Sequence, residues 1–203
     1  MPSQKDLLQT ALADALDYES YMTLMSSLVS DGKSTGIEQS EALSNYTMLN
    51  QKRMQRLNKT LKISEEISDR IAADPRVLVF LVLTESWCGD AAQSLPMWAK
   101  AAALNSNWSV LLVSRDTHPA LMDAYLTAGA RSIPKVLVIE PATHRVLFDW
   151  GPRPSTLTQM VLDFKAAHGL LTADFKKDLQ QWYNKDKGQT TLTDMCSLLE
   201  IKH

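Results

Sequence analysis

The sequence predicts an α/β fold, a central mixed sheet sandwiched by helices, with a helical hairpin ahead of it and a helical tail behind. Three observations carry this. Residues 77–83, VLVFLVL, are continuously apolar and rich in branched side chains, the mark of a strand buried on both faces. Strand-like and helix-like segments alternate after it. Two later strand-like segments, beginning at Lys135 and Arg145, are separated only by the turn-like PATH, which gives an antiparallel hairpin.

Residues 7–28 place Leu8, Leu12, Ala15, Leu16, Tyr21, Leu24, Met25 and Leu28 at helical intervals, with Asp and Gln between them, the pattern of one amphipathic helix. SDGKSTG then breaks the pattern. Helical spacing resumes over residues 37–73 through Leu43, Tyr46, Leu57, Leu61, Ile67 and Ile71, so the two helices form a hairpin. Asp74-Pro75 ends the second, because the residue before a proline avoids helical backbone and proline has no N–H to donate. The buried strand follows. Residues 89–104 are Ala-rich and helical, residues 108–116 form a second buried strand, and residues 118–128 form another helix. The hairpin of KVLVIE and RVLFDW leads into an amphipathic helix over residues 155–167. The tail from Leu171 is helical with a break at NKDKGQTT. The chain thus divides into a helical extension over residues 1–73, a core domain over 74–168 and a helical tail over 169–203.

Of the 203 residues, 45% are hydrophobic, enough for one compact core with helical additions. The net charge of -2 argues against nonspecific binding to nucleic acid or acidic lipid, which needs a surplus of Lys and Arg. Asp6, Asp14, Asp17 and Glu19 interrupt any apolar core of a signal peptide, and no apolar run approaches the roughly 20 residues that span a bilayer. Cys88 and Cys196 make neither a zinc spacing nor a disulfide framework and suit a reducing compartment, so the cytoplasm is the expected location. His118, His144, His168 and His203 are scattered and predict no metal site. There is no glycine-rich phosphate loop, and Ser86 and Ser94 sit in no nucleophile elbow. The basic run of Lys52, Arg53, Arg56, Lys59 and Lys62 reads as a solvated helix face, Trp98 and Trp108 as packing, and Arg153 as a helix-start residue between Pro152 and Pro154.

ESWCGDAAQSLP, residues 85–96, follows directly on the buried strand, and here the sequence resembles the thioredoxin family. Against that family's usual Trp-Cys-Gly-Pro-Cys the chain reads Trp87, Cys88, Gly89, Asp90 and Ala91, so the second cysteine is absent. Pro96 falls where the family's kinking proline interrupts the active-site helix. GARSIPK, residues 129–135, looks like the segment that carries the family's cis-proline, with Ile133 before it and Pro134 as the cis residue. FDWGPRPS fits the glycine of the last strand. The resemblance covers residues 74–168 and implies a thioredoxin fold. The helical extensions and Asp90 are similar to a bacterial-type subgroup that often reads Trp-Cys-Gly-Asp, from which Ala91 is the departure.

A cysteine just ahead of a helix meets the positive end of the helix dipole and unpaired N–H groups, both of which favour a thiolate. Asp90 opposes them with a negative charge, and the net sign stays open at this point. Disulfide reduction of the family kind passes through a mixed disulfide that a second thiol, one helical turn on, resolves. Ala91 has no sulfur, so a closed intramolecular cycle on this motif is impossible. The buried acid that many family members keep six residues before the first cysteine is Val82 here. The resemblance therefore implies a monothiol thiol-disulfide oxidoreductase without a cofactor. Cys88 is its nucleophile, and an external thiol, with glutathione as a candidate co-substrate, is its resolving agent. Trp87, Gly89, Asp90, Ile133 and Pro134 would hold the substrate, a protein or a low-molecular-weight thiol or disulfide. The alternative is a noncatalytic module that uses the same groove to hold a partner peptide, with the helical extensions adding contacts or a homodimer interface. Cys196 lies among Leu192, Met195, Leu198 and Leu199 at helical spacing and reads as a buried small hydrophobe rather than a resolving thiol.

Overall fold

The computed structural model describes residues 2–201. The chain opens with α1 (Gln4–Asp14), closed at its start by a capping box: the Ser3 hydroxyl accepts the Asp6 N–H at 3.2 Å and the Asp6 carboxylate accepts the Ser3 N–H at 2.9 Å. Two extended residues, β1 (Leu16–Asp17), separate it from α2 (Tyr18–Ser30). The single helix expected over residues 7–28 is therefore two. Leu16 pairs with Leu112 at the sheet edge, and the Asp17 carboxylate accepts the Ser20 N–H at 2.7 Å and starts a new helix. A local cap and an edge pairing overrode continuous helical periodicity. Residues 37–73 divide in the same way into α3 (Glu41–Thr60) and α4 (Glu65–Ala72), each with a serine N-cap, Ser40 and Ser64. The expected hairpin is made by α2 packing on α3.

The core elements follow as β2 (Leu78–Thr84), α5 (Gly89–Ala102), β3 (Trp108–Ser114), α6 (Pro119–Ala124), β4 (Lys135–Glu140) and β5 (Arg145–Trp150). The sheet order is β1-β3-β2-β4-β5. Through the α5 crossover β2 runs parallel to β3, while β4 is antiparallel to both β2 and β5. The central position of β2 and β4 explains their unbroken apolar sequence, since Leu81, Val82, Leu83, Val136, Leu137 and Val138 are all fully buried. The helix expected over residues 118–128 stops at Ala124. Tyr125 leaves helical backbone, and Ala128 and Gly129 take positive φ so that Thr127 and Ala130 exchange backbone hydrogen bonds across a tight loop.

After β5 the chain forms α7 (Ser155–His168), and the tail supplies α8 (Ala173–Asp186) and α9 (Gln189–Leu198), separated by left-handed Lys187 and Gly188. α9 enters the main core against α5, burying Leu192, Met195 and Cys196. α7 and α8 bury a smaller cluster of their own, Leu157, Val161, Phe175, Leu179 and Tyr183. Trp98 and Trp108 pack on Phe80, each with ring centroids 5.3 Å away. Among the described residues no helix is long and apolar enough to cross a membrane, and His203 lies outside them.

The turn from β5 into α7 presses on the loop before β4. Gly151 has φ 118, and a Cβ there would sit 2.1 Å from the Pro134 carbonyl oxygen, a backbone atom with nowhere to move. Gly151→Ala should lower stability by about 3 kcal/mol or more, from the steric clash added to unfavourable backbone. Gly32→Ala, with φ 65 and open space around it, should cost only about 1 kcal/mol. Urea unfolding of the two variants checks the contrast, and equal losses would show that the close approach at Gly151 is not a constraint.

Candidate functional site

Beyond β2 the chain turns through Ser86 and Trp87, with the Cys88 N–H bonded to the Glu85 carbonyl at 3.0 Å. The N-terminal extension holds this turn. Thr35 donates its N–H to Ser86 Oγ at 2.9 Å and accepts the Ser86 N–H on its hydroxyl at 2.7 Å, and the Asn50 side-chain amide donates to the Ser86 carbonyl at 2.9 Å. Thr47 Oγ1 completes the set, 2.8 Å from Ser86 Oγ. Ser86 is thus a fixture that ties the extension to the start of α5, consistent with its lying in no nucleophile elbow.

Cys88 is the N-cap of α5. Its sulfur accepts the Ala91 N–H at 3.5 Å and donates its own proton to the Ile133 carbonyl at 3.3 Å. The Ile133–Pro134 peptide is cis, as is Gly151–Pro152. Trp87 is half-buried, with the Arg115 guanidinium 5.2 Å from its ring centroid. Only 8% of Cys88 is exposed. Burial pushes its thiol up to about 12, and the Asp90 charge adds to the effect; the N–H groups of Ala91 and Asp90 and the Arg153 charge pull the other way and lose.

Asp90 sits in the first turn of α5 with a nearly buried carboxylate. Arg153 Nη2 is 2.7 Å from its Oδ2, and the Tyr183 hydroxyl donates to its Oδ1 at 3.0 Å. Burial raises its pKa while Arg153 and Tyr183 lower it. The residue read from sequence as a helix start is therefore an ion-pair partner across the site: Arg153 does not cap α7, it holds Asp90. Tyr183 brings the tail onto the same spot, and Gln180 accepts a hydrogen bond from Gln93 at 3.0 Å beside it.

Trp87, Cys88, Gly89, Asp90 and Ile133 line one cleft of about 430 Å³, and Pro134 follows on as the cis residue. Arg115, Arg131, Arg153 and Lys176 line it too, and Tyr46 joins them from α3. Of the basic run along and just beyond α3, Lys52, Arg56, Lys59 and Lys62 are solvent-exposed as expected, but Arg53 is not. It is half-buried, and a Cβ on Gly89 would lie 3.6 Å from its guanidinium. Arg56 reaches Asn184 on α8 at 2.8 Å. Cys196 is fully buried in the core and, like Cys88, is a free thiol.

Sequence reasoning missed Arg115, Arg131, Lys176, Tyr183 and Glu85. Glu85 is a buried carboxylate that accepts from Ser114 Oγ at 2.7 Å and from the Asp116 N–H at 3.0 Å. A signal for two of them was present: Arg115 follows β3 and Arg131 precedes the Ile133–Pro134 peptide, both near strand ends where open α/β sheets place their ligands. Lys176 and Tyr183 carried none, because their place depends on how the tail docks. Among the described residues no group of three or more His, Cys, Asp or Glu side chains is placed to hold a metal ion.

A protein-family model described as Thioredoxin matches residues 36–169. No curated protein matches the chain. Among solved structures, a Pseudomonas aeruginosa protein of unknown function is similar with a TM-score of 0.63 and 18% identity, over 98% of this chain and 98% of that one. An HIV epitope-scaffold is similar with a TM-score of 0.62 and 18% identity, over 96% of this chain and 98% of that one. At that identity the likeness speaks to the fold alone, and the fold is that of thioredoxin, a five-stranded mixed sheet flanked by helices.

Because the Cys88 pKa is higher folded than its ordinary 9.0, the folded chain keeps a proton that the unfolded chain loses. Its stability should be unaffected by this group below about pH 9 and fall as pH rises towards 12, by at most about 1.4 kcal/mol per pH unit. Burial also raises Tyr18, Tyr21 and Tyr183 above their ordinary 10.0, which adds a loss of the same sign at high pH, so the check is the difference between wild type and Cys88→Ala in urea unfolding from pH 8 to 11. Parallel curves would mean that the Cys88 thiol is not held neutral by the fold.

Proposed function

This chain belongs to the thioredoxin family, and on that premise we propose that it works as a thioredoxin-fold binding module, holding a partner peptide in the cleft beside Ile133 and Pro134. The observation that carries this reading is the state of Cys88, buried and with its pKa pushed up to about 12. The thiolate is the attacking species in disulfide exchange, and a thiol raised this far is ionised at neutral pH to a far smaller fraction than the few per cent of a free thiol. No second sulfur stands near enough in the motif to offset this, since Ala91 replaces it and Cys196 is enclosed in the core. Trp87, Gly89, Asp90, Ile133 and Pro134 are then groove and support for a bound chain. Two separate free thiols suit the cytoplasm as its compartment.

One observation favours a second reading. Cys88 lines the cleft, with the Ala91 N–H directed at its sulfur. If an occupant favoured ionisation, the Cys88 thiolate would attack a substrate disulfide, forming a mixed disulfide and expelling one thiolate. An external thiolate such as glutathione would then attack the mixed disulfide, forming a new disulfide and releasing Cys88. This is the monothiol oxidoreductase implied by the Trp-Cys-Gly-Asp motif.

The two readings separate in the pH profile of Cys88 alkylation by iodoacetamide, followed by peptide mass analysis. The binding module predicts a rate at pH 7.5 at least about a hundredfold below that of free cysteine, still rising at pH 10. Asp90→Asn should move the profile to lower pH by removing a negative neighbour, without reaching an ordinary thiol, because burial is the larger cause. A plateau at or below pH 7, with a stable mixed disulfide formed by Cys88 attack on glutathione disulfide and release of one glutathione, would replace the binding module with the oxidoreductase.

A further inference from the structure

We propose that the occupant of the Cys88 cleft is an acidic peptide segment, in which carboxylates flank an apolar residue. This rests on the reading that the cleft holds a partner chain, and it adds the chemistry of that chain. Four cationic side chains line the cleft, Arg115, Arg131, Arg153 and Lys176, against a single acid, Asp90. Asp90 has nothing to offer an incoming cation. Its side chain is 14% exposed, and both its oxygens are engaged, one by Arg153 and one by Tyr183.

The cations differ in how far they are already neutralised. Asp116 stands 2.8 Å from Arg115, which also donates to the Arg131 carbonyl at 3.3 Å. Asp123 accepts from Nε and Nη2 of Arg131, both at 2.6 Å, and these two acids offset the charge of their arginines while fixing where the guanidinium planes lie. Arg131 remains half exposed and keeps its Nη1 group for a ligand. Lys176 pairs with no carboxylate among the described residues. Arg53, against Gly89, bonds to the Asn50 side-chain carbonyl at 3.0 Å and pairs with no carboxylate among the described residues. Lys176 therefore carries the uncompensated positive charge within the cleft, and Arg53 adds a second beside Gly89, outside the lining.

This local excess is set in a chain of net charge -2, so it is a feature of the cleft and not of the composition. Ile133, Pro152, Trp87 and the exposed Tyr46 supply apolar and aromatic surface between the cations. That mixture suits a segment with both carboxylates and an apolar side chain. A space of about 430 Å³ takes a few residues of it.

The test is calorimetric titration of the full chain with three nine-residue peptides that share a Val-Ser skeleton and carry Glu, Gln or Lys at the same two positions. The Glu peptide should bind about tenfold tighter than the Gln peptide, the Lys peptide should be weakest, and Lys176→Gln and Arg131→Gln should each reduce the Glu preference about three- to fivefold. Both side chains are solvent-exposed, so the variants should fold normally. Equal binding of the Glu and Gln peptides would overturn the acidic preference and leave the binding module standing. A preference that survives both variants would overturn it too, since the acid would then be read elsewhere. If reduced glutathione displaced the Glu peptide at comparable affinity, the site would be one for small anions and not for a chain. Absence of binding by all three peptides would remove the binding module itself.

Discussion

A carboxylate enclosed at the start of a helix, beside a buried thiol, sets the terms for everything around it. Taking a carboxylate out of water costs several kcal/mol even after relaxation, and it is recovered only if the charge is paired and its remaining lone pairs are satisfied. Asp90 meets both conditions with residues far away in sequence, Arg153 from the turn after β5 and Tyr183 from α8. The pair does not create net stability so much as penalise any arrangement in which one member is missing. A tail that undocked would strip the Tyr183 hydroxyl from Asp90, and a displaced β5–α7 turn would strip Arg153. The carboxylate thus ties the position of the tail and of that turn to the first turn of α5.

The same enclosure decides the contest at Cys88. The helix dipole and the Ala91 N–H favour a thiolate, but even in a partly buried setting the dipole is worth at most about 2 kcal/mol, between one and two pKa units. Desolvation acts against the charged form more strongly, and the Asp90 charge is within range to add to it. The Ile133 carbonyl acts in the same direction by geometry, since it can accept a hydrogen bond from an S–H and can only repel an S⁻. Ala91 carries no sulfur, and the surroundings of Cys88 favour its protonated form. Both features disfavour thiolate chemistry at this position, while the cleft beside Ile133 stays open.

The fold was largely legible because its strongest signals are dictated by burial. A strand enclosed on both faces must be apolar throughout, so residues 77–83 announced β2, and the Lys135 and Arg145 hairpin announced β4 and β5. The helical extensions were legible as helix but not in their divisions. Asp17 and Ser64 restart helices through single side-chain hydrogen bonds, which leave the apolar periodicity of the flanking residues intact. That Trp87, Cys88, Gly89, Asp90 and Ile133 would lie together was legible because motif and spacing are local, and they line one cleft. The cations opposite them were not, because Arg153 reads as a helix start until Asp90 is seen beside it, and Lys176 and Tyr183 reach the cleft only through the packing of α8 on α7.

The helical extensions are therefore part of the site. Thr35, Thr47 and Asn50 clamp the Ser86 turn that aims Cys88, and Tyr46 and Arg53 bring an aromatic ring and a charge to its neighbourhood. From the other end Tyr183 locks Asp90, and Lys176 brings a cation to the cleft. The sheet and α5 place the sulfur against the Ile133 carbonyl, as the strand order requires. Asp90, in the first turn of α5, is the charge that faces the sulfur, and Arg153 and the Tyr183 hydroxyl fix it in place. Since ionisation of a thiol depends on the charge beside it, the tail acts on Cys88 through Asp90, and a sheet and α5 without Tyr183 would leave that carboxylate short of a hydrogen-bond donor.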